Sequence, residues 1–226
     1  MRRARGFTLV ELAVALAVIA LLLGVLAVPL NTQIDQHRIN ETQKQANLIV
    51  EAILGFAVTW GRLPCPAAAT TANTMAGAGS EARTGTACTQ PEGVVPWAAL
   101  GVAETDAWGR RFTYRVTAML ADDPTGGLQA SFALTDTGNL TVRASAAGVD
   151  IASNIAAMVV SHGKNGFGAF QTNGAQVAGA AGDELENADN DGIFVHKLHE
   201  PAFDDVLAWV SPNVLKSRMV AAGRLP

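Results

Sequence analysis

From Leu12 to Ile34 no charged residue interrupts the chain, and alanine, leucine and valine fill most positions. As a helix, Phe7 to Leu30 would be about 36 Å long at ~1.5 Å per residue, enough for a hydrocarbon core of ~30 Å. Alanine and leucine favour that helix, whereas Gly24 and Pro29 predict a kink or local unwinding near Val25–Leu30. Beyond Pro29 the pattern turns amphipathic. Ile49, Ile53, Phe56 and Trp60 recur at helical spacing, while Gln45, Glu51 and Thr59 fall elsewhere. Gly61 and Pro64 supply a stop. Phe7–Trp60 therefore reads as one long helix, its first half in lipid and its second half laid on a globular head.

After Pro66 the periodicity disappears. Ala67–Thr86 is rich in Ala, Gly and Thr and reads as a loop. Strand patterns follow: Phe112, Tyr114 and Val116 alternate with polar residues, as do Phe132 with Leu134 and Leu140 with Val142. Asp136-Thr137-Gly138-Asn139 predicts a hairpin turn between the last two. Met158–Val160 is an apolar run ending in a glycine-bearing loop, His162–Gly166. Phe194–Leu198 and Val206–Val210 predict further strands. Ser211 before Pro212, with Gly223 as a stop, predicts a helix from Pro212 to about Ala222. One long helix followed by short strands gives an α+β head on an antiparallel sheet.

Charge sharpens the picture at the N-terminus. Arg2, Arg3 and Arg5 precede the apolar run, which keeps that end cytoplasmic and sends the rest of the chain across the membrane. The net charge is -4, and without those three arginines the remainder is more acidic still. Such a head repels a phosphate backbone, and a single tyrosine offers little base-stacking surface, so nucleic acid is not an expected partner. Cys65 and Cys88 are the only cysteines. In an oxidising compartment they read as a disulfide, worth roughly 3 kcal/mol in the chain-entropy treatment; two buried thiols are the alternative. Glu11 stands out most. A carboxylate within such a run costs roughly 2.5–3.5 kcal/mol near a helix centre and less towards an interface.

Gly6-Phe7-Thr8-Leu9-Val10-Glu11-Leu12, after a basic leader and before the apolar run, resembles the class III signal of type IV pilins and pseudopilins. The resemblance implies that a prepilin peptidase cuts between Gly6 and Phe7 and methylates the new amino group. It also implies that Thr8 and Glu11 serve assembly, with Glu11 pairing the amino group of an adjacent subunit and so neutralising two costly charges together. A secretory signal peptide and a plain signal anchor are the alternatives. The first lacks an A-x-A site before Pro29, and the second leaves Glu11 unexplained. The implied organisation is a leader (1–6), a transmembrane half-helix (7–30), an amphipathic half-helix (31–60) and a periplasmic head (61–226). Other pilin or pseudopilin subunits, an inner-membrane assembly platform and membrane lipid are the implied partners. In the head, Asp106–Tyr114 resembles the D-P-W-G-x-x-Y-x-Y segment of the major pseudopilin of type II secretion, with Ala107 in place of proline. Ser161–Gly166 resembles that protein's S-x-G-x-D-G stretch ahead of its calcium loop.

Chemistry is sparse elsewhere. Asp183, Glu186, Asn187, Asp189 and Asp191 crowd one stretch, and 187–192 has the oxygen spacing of half an EF-hand loop. Leu198 occupies the place of the bidentate Glu, so calcium and a merely solvated acidic loop both remain open, and no cofactor is required. His196 and His199 fit neither zinc-hydrolase motif, and no nucleophile elbow, Walker loop or dinucleotide loop is present. The expected function is that of a structural subunit of a type II secretion pseudopilus and not an enzyme. A minor type IV pilin and a membrane-anchored periplasmic binding module are the alternatives.

Overall fold

The computed structural model describes residues 8–124 and 129–225, the side chains of 23–31 excepted. Helix α1, Leu9–Trp60, is continuous through Gly24 and Pro29, where the sequence predicts a kink or unwinding. The chain divides into two compact units, Met1–Arg38 and Ile39–Pro226. In the first unit Leu9, Leu12, Leu16, Ile19 and Leu22 are all exposed. Among the described residues no helix is long and apolar enough to cross a membrane. The expected span 7–30 includes Phe7 and the side chains of 23–30, which lie outside them, as do Gly6 and the leader arginines.

In the second unit the end of α1 is buried along one stripe, Thr42, Ala46, Ile49, Ile53 and Ala57. Each isoleucine contributes about 1.5–3 kcal/mol by its burial. Phe56 is half-buried and stacks on an exposed Trp60 at 5.8 Å, at the margin of that stripe. Gly61 ends the helix with a φ of 74°, and a Cβ there would strike the Gln129 carbonyl oxygen at 2.1 Å. Only glycine fits such a left-handed, close-packed position.

Strands β1 (Arg83–Thr84) and β2 (Ala87–Cys88) form a short antiparallel ribbon in what the sequence presents as loop. β3 (Glu92–Val94) follows, then a helical turn α2 (Trp97–Leu100) and β4 (Thr113–Val116). Next come β5 (Leu140–Arg143), β6 (Asp150–Ile155), β7 (Ala157–Ser161), the turn α3 (Asp183–Glu186), β8 (Ile193–Val195) and β9 (Val206–Val210). Helix α4 spans Pro212–Ala221. An antiparallel four-stranded sheet has the order β3-β4-β7-β9, and a three-stranded sheet the order β6-β5-β8. The fold is mixed α+β with helix packed on antiparallel sheet, but β5 and β8 run parallel.

β7 explains the join. Its five residues are all buried: Ala157 and Val159 face the cluster containing Ile49, Ile53 and Phe112, and Met158 and Val160 face the one containing Leu140, Val142 and Phe194. Burial on both faces produces a continuous apolar run. The expected strand at Phe132 and Leu134 is absent. Asp136 accepts the Ala133 N–H at 2.8 Å and closes a turn there, leaving Phe132 buried and Leu134 exposed. β5 pairs instead with β6, whose mostly exposed residues carry no alternation.

Candidate functional site

Two parts of the chain carry recognisable chemistry, the first turn of α1 and a cluster of loops at the end of the β4–β7–β9 sheet. At the first, Thr8 N–H and Thr8 Oγ1 both donate to Glu11 Oε2 at 2.9 Å, and Glu11 N–H donates to Thr8 Oγ1 at 3.2 Å. Leu12 N–H donates to the Thr8 carbonyl at 3.2 Å. Glu11 thus has a partner inside its own chain. Gly6 and Phe7, the expected cleavage pair, lie outside the described residues.

In the head, the two segments that the sequence singles out lie together. Asp106 Oδ1 accepts the N–H groups of Trp108 and Arg110 at 2.9 and 3.0 Å, and Gly109 has a φ of 80°. This turn admits the chain to β4. Asp106 Oδ2 accepts the Ser161 hydroxyl at 2.6 Å, while Arg110 Nη1 donates to the carbonyls of Gly163 and Lys164 at 2.8 and 2.9 Å. Burial raises the Asp106 pKa, and the Ser161 hydroxyl partly offsets it. The Ala107 N–H reaches Thr42 on α1 at 3.3 Å.

The His162–Gly166 loop in turn meets two acidic segments. Asn165 Nδ2 donates to both oxygens of Glu184 at 2.9 and 3.0 Å, and its backbone N–H to Asp204 Oδ2 at 2.9 Å. A Cβ on Gly163 would strike the Asp204 carbonyl oxygen at 2.1 Å, so the loop can approach this closely only with glycine there. Asn187 Nδ2 donates to Asp205 Oδ2 at 2.7 Å. Glu184, Asp204 and Asp205 each offer an oxygen within 4.8 Å of the others. Asp204 Oδ1 and Asp205 Oδ1 are buried with no hydrogen-bond partner among the described residues. Burial lifts the pKa of both, that of Asp205 well above the ordinary value. His162 is fully buried, shares a 2.8 Å hydrogen bond with Thr113, and is pushed down to about 4 by burial.

The acidic stretch that the sequence offers as a calcium candidate is divided by the fold. Glu186, Asp189 and Asp191 form a second group within 4.8 Å, towards solvent. Asp183 does not join it: its carboxylate accepts the Ala146 N–H at 2.8 Å and the Lys197 ammonium at 2.6 Å, which together hold its pKa down. Asn187 does not join either. Its amide turns inward and pairs both the N–H and the C=O of Val195, at 2.8 and 3.1 Å, guarding the edge of β8. Glu184, Asp204 and Asp205 come from separate segments, so the sequence shows the adjacent Asp204-Asp205 pair and an acidic run that includes Glu184 but not their grouping. His162 Nδ1 lies 3.9 Å from Asp205 Oδ1, beyond hydrogen-bond length, and His196 sits edge-on to Trp209 at 5.6 Å.

Cys65 and Cys88 form a disulfide. Around it, Arg62 pairs with Glu81 at 2.7 Å and with Asp123 at 2.8 Å, and the Cys65 N–H donates to Glu81 at 2.6 Å.

Comparison with known families matches residues 1–27 to the prokaryotic N-terminal methylation motif. The chain carries a prepilin signal. That motif is the signature of type IV pilin and pseudopilin precursors, and it supports a pilin-like protein processed by prepilin peptidase and assembled with other subunits of that type. It indicates a structural subunit and suggests membrane anchoring. No curated protein and no solved structure matches the chain.

Proposed function

We propose that the chain is a filament subunit of a type II secretion pseudopilus. The observation that carries it is the prepilin signal at residues 1–27, with Glu11 five residues past Gly6. Cleavage between Gly6 and Phe7 gives a cationic amine at the edge of an uncharged apolar helix. Pairing that amine with Glu11 of an adjacent subunit removes two charges from lipid at once, which favours growth of the filament from the membrane. Residues 7–30 anchor the subunit in the inner membrane, and the head projects into the periplasm. Prepilin peptidase, an assembly platform and sister subunits are its partners. The choice of secretion over piliation rests on the two head segments at Asp106–Tyr114 and Ser161–Gly166 that resemble the major pseudopilin. Deleting the gene tests that choice. Loss of secreted enzymes with normal pili supports the reading, and loss of pili with normal secretion overturns it in favour of a minor type IV pilin.

Calcium belongs to the same proposal. The donor set fits the ion: three carboxylates, two with buried oxygens that take no hydrogen bond among the described residues, match a hard cation that takes oxygen ligands. Glu184, Asp204 and Asp205 would hold it, and a bound ion would neutralise charge that burial disfavours. Asn165 and Asn187 orient these carboxylates by their hydrogen bonds. Thermal melting of the full chain in detergent, titrated with calcium, tests the fit. A rise in Tm that Asp205→Asn abolishes and Asp191→Asn leaves intact is expected. No shift at millimolar calcium removes the ion from the account.

A further inference from the structure

The outer edge of β3 is only partly covered. Val116 N–H donates to the Pro91 carbonyl at 2.9 Å and Val95 N–H to the Phe112 carbonyl at 3.0 Å, so Pro91 and Val95 bond towards β4. Antiparallel alternation then turns the peptide groups of Glu92 and Val94 outward. Val94 is matched there by Ala67, which donates to its carbonyl at 2.8 Å and accepts its N–H at 3.0 Å. Continued in register, that bridge would bring Ala69 opposite Glu92. It stops short, because Arg111 draws the carbonyls of Ala69 and Thr71 to its guanidinium at 3.0 and 2.8 Å. Among the described residues nothing hydrogen-bonds the Glu92 N–H or C=O.

Where the two segments part lies a cleft of about 390 Å³. Sites for small ligands and peptide side chains begin at about 300 Å³. Pro66, Ala68 and Phe170 give this cleft apolar surface, and Glu92 and Asp189 give it carboxylates. Burial raises the Glu92 pKa; the hydrogen bond from Arg115 at 3.0 Å opposes this, and the charges of Asp189 and Asp191 add to it. Arg115 is itself shared with Asn190 at 2.7 Å. A further cation is therefore favoured beside Glu92.

We propose that this cleft is a peptide-binding site: an extended segment of a partner protein adds to β3 at Glu92, where the chain after Ala67 departs, and presents a lysine or arginine to Glu92 and Asp189. The main chain of such a segment supplies the N–H and C=O partners that Glu92 lacks. Its basic side chain suits both kinds of lining, with the stem along the apolar surface and the head on the carboxylates. A free cation uses only the carboxylates, and an uncharged strand only the edge. Every residue involved lies in the head, so the site does not depend on how the N-terminus assembles.

Binding is measured on the full chain purified in detergent, by fluorescence anisotropy of dye-labelled acetyl-Ser-Thr-Lys-Thr-Ser-amide at low salt. The comparison probes are the same peptide with norleucine for lysine, the same peptide N-methylated at both threonines, and lysine amide as competitor. The lysine peptide should bind about tenfold tighter than either altered peptide, and lysine amide should compete weakly. Asp189→Asn keeps the oxygen that accepts the Asp191 N–H and should remove most of the preference for lysine. Ala68→Trp, at an exposed position in the cleft wall, should abolish binding with the Tm unchanged. Equal binding of the lysine and norleucine peptides refutes the charge recognition. Equal binding of the N-methylated peptide, or full competition by lysine amide at matched concentration, refutes strand addition. Binding that survives Ala68→Trp, or no saturation by about 1 mM, overturns the site. If Ala68→Trp fails to fold, an undiminished lysine preference in Asp189→Asn does the same. A dimer in analytical ultracentrifugation that Ala68→Trp converts to monomer would give the cleft to a second copy and contradict the partner assigned here.

Discussion

Arg111 has no exposed surface, yet it sits beside a strand in the middle of the head. Its guanidinium pairs with Glu104 at 2.9 Å, donates to the carbonyls of Ala69, Thr71 and Thr172, and lies 4.6 Å above the Trp97 ring. One side chain thereby ties together the segments 69–71 and 97–104 and Thr172. Removing one partner of a buried pair leaves uncompensated polar groups, so Arg111→Ala should destabilise the chain by about 3–5 kcal/mol. Urea unfolding followed by tryptophan fluorescence measures it, and a loss under 1 kcal/mol would mean that these carbonyls find other donors. Sequence offered no route to this residue, since Arg110-Arg111 looks like any solvated pair. Glu11 was legible for the opposite reason. A charge amid apolar neighbours is visible without structure, but its partner Thr8 is not: that pairing needs the helix to begin at Leu9, a boundary that the Phe7–Trp60 pattern does not resolve.

Elements were legible where burial imposes a period or a run. The end of α1, the apolar strand β7 and helix α4 behind Ser211-Pro212 all fall where expected, because each buries a continuous stripe or face. β6 was hidden because an exposed edge strand answers to its neighbour's hydrogen bonds and not to hydrophobic alternation. The segment between the cysteines reads as loop for want of periodicity. Its order comes from ion pairs, from a bridge of Ala67 to Val94, and from the disulfide, none of which leaves a periodic trace. Replacing Cys65 and Cys88 together by serine should lower stability by about 3 kcal/mol while leaving the sheet intact. Denaturation midpoints with far-UV circular dichroism check this; an unchanged midpoint would show that the ion pairs alone suffice.

At the scale of the molecule, the chain pairs a signal confined to its first 27 residues with a mixed α+β unit, Ile39–Pro226, that assembles a seat of three carboxylates. The acidic run at 183–191 drew attention in sequence, but folding splits it and recruits Asp204 and Asp205 from the approach to β9. Proximity along the chain does not reveal which carboxylates the fold brings together. Chelation should therefore lower the Tm of the purified chain, with calcium restoring it, and Glu184→Gln should abolish the difference. The account nevertheless depends first on how the N-terminus is processed. Mass spectrometry of the mature protein from its native membrane is the most direct test. The prediction is a chain beginning at Phe7 and heavier by one methyl group. An intact Met1, or a cut near Pro29, would contradict it.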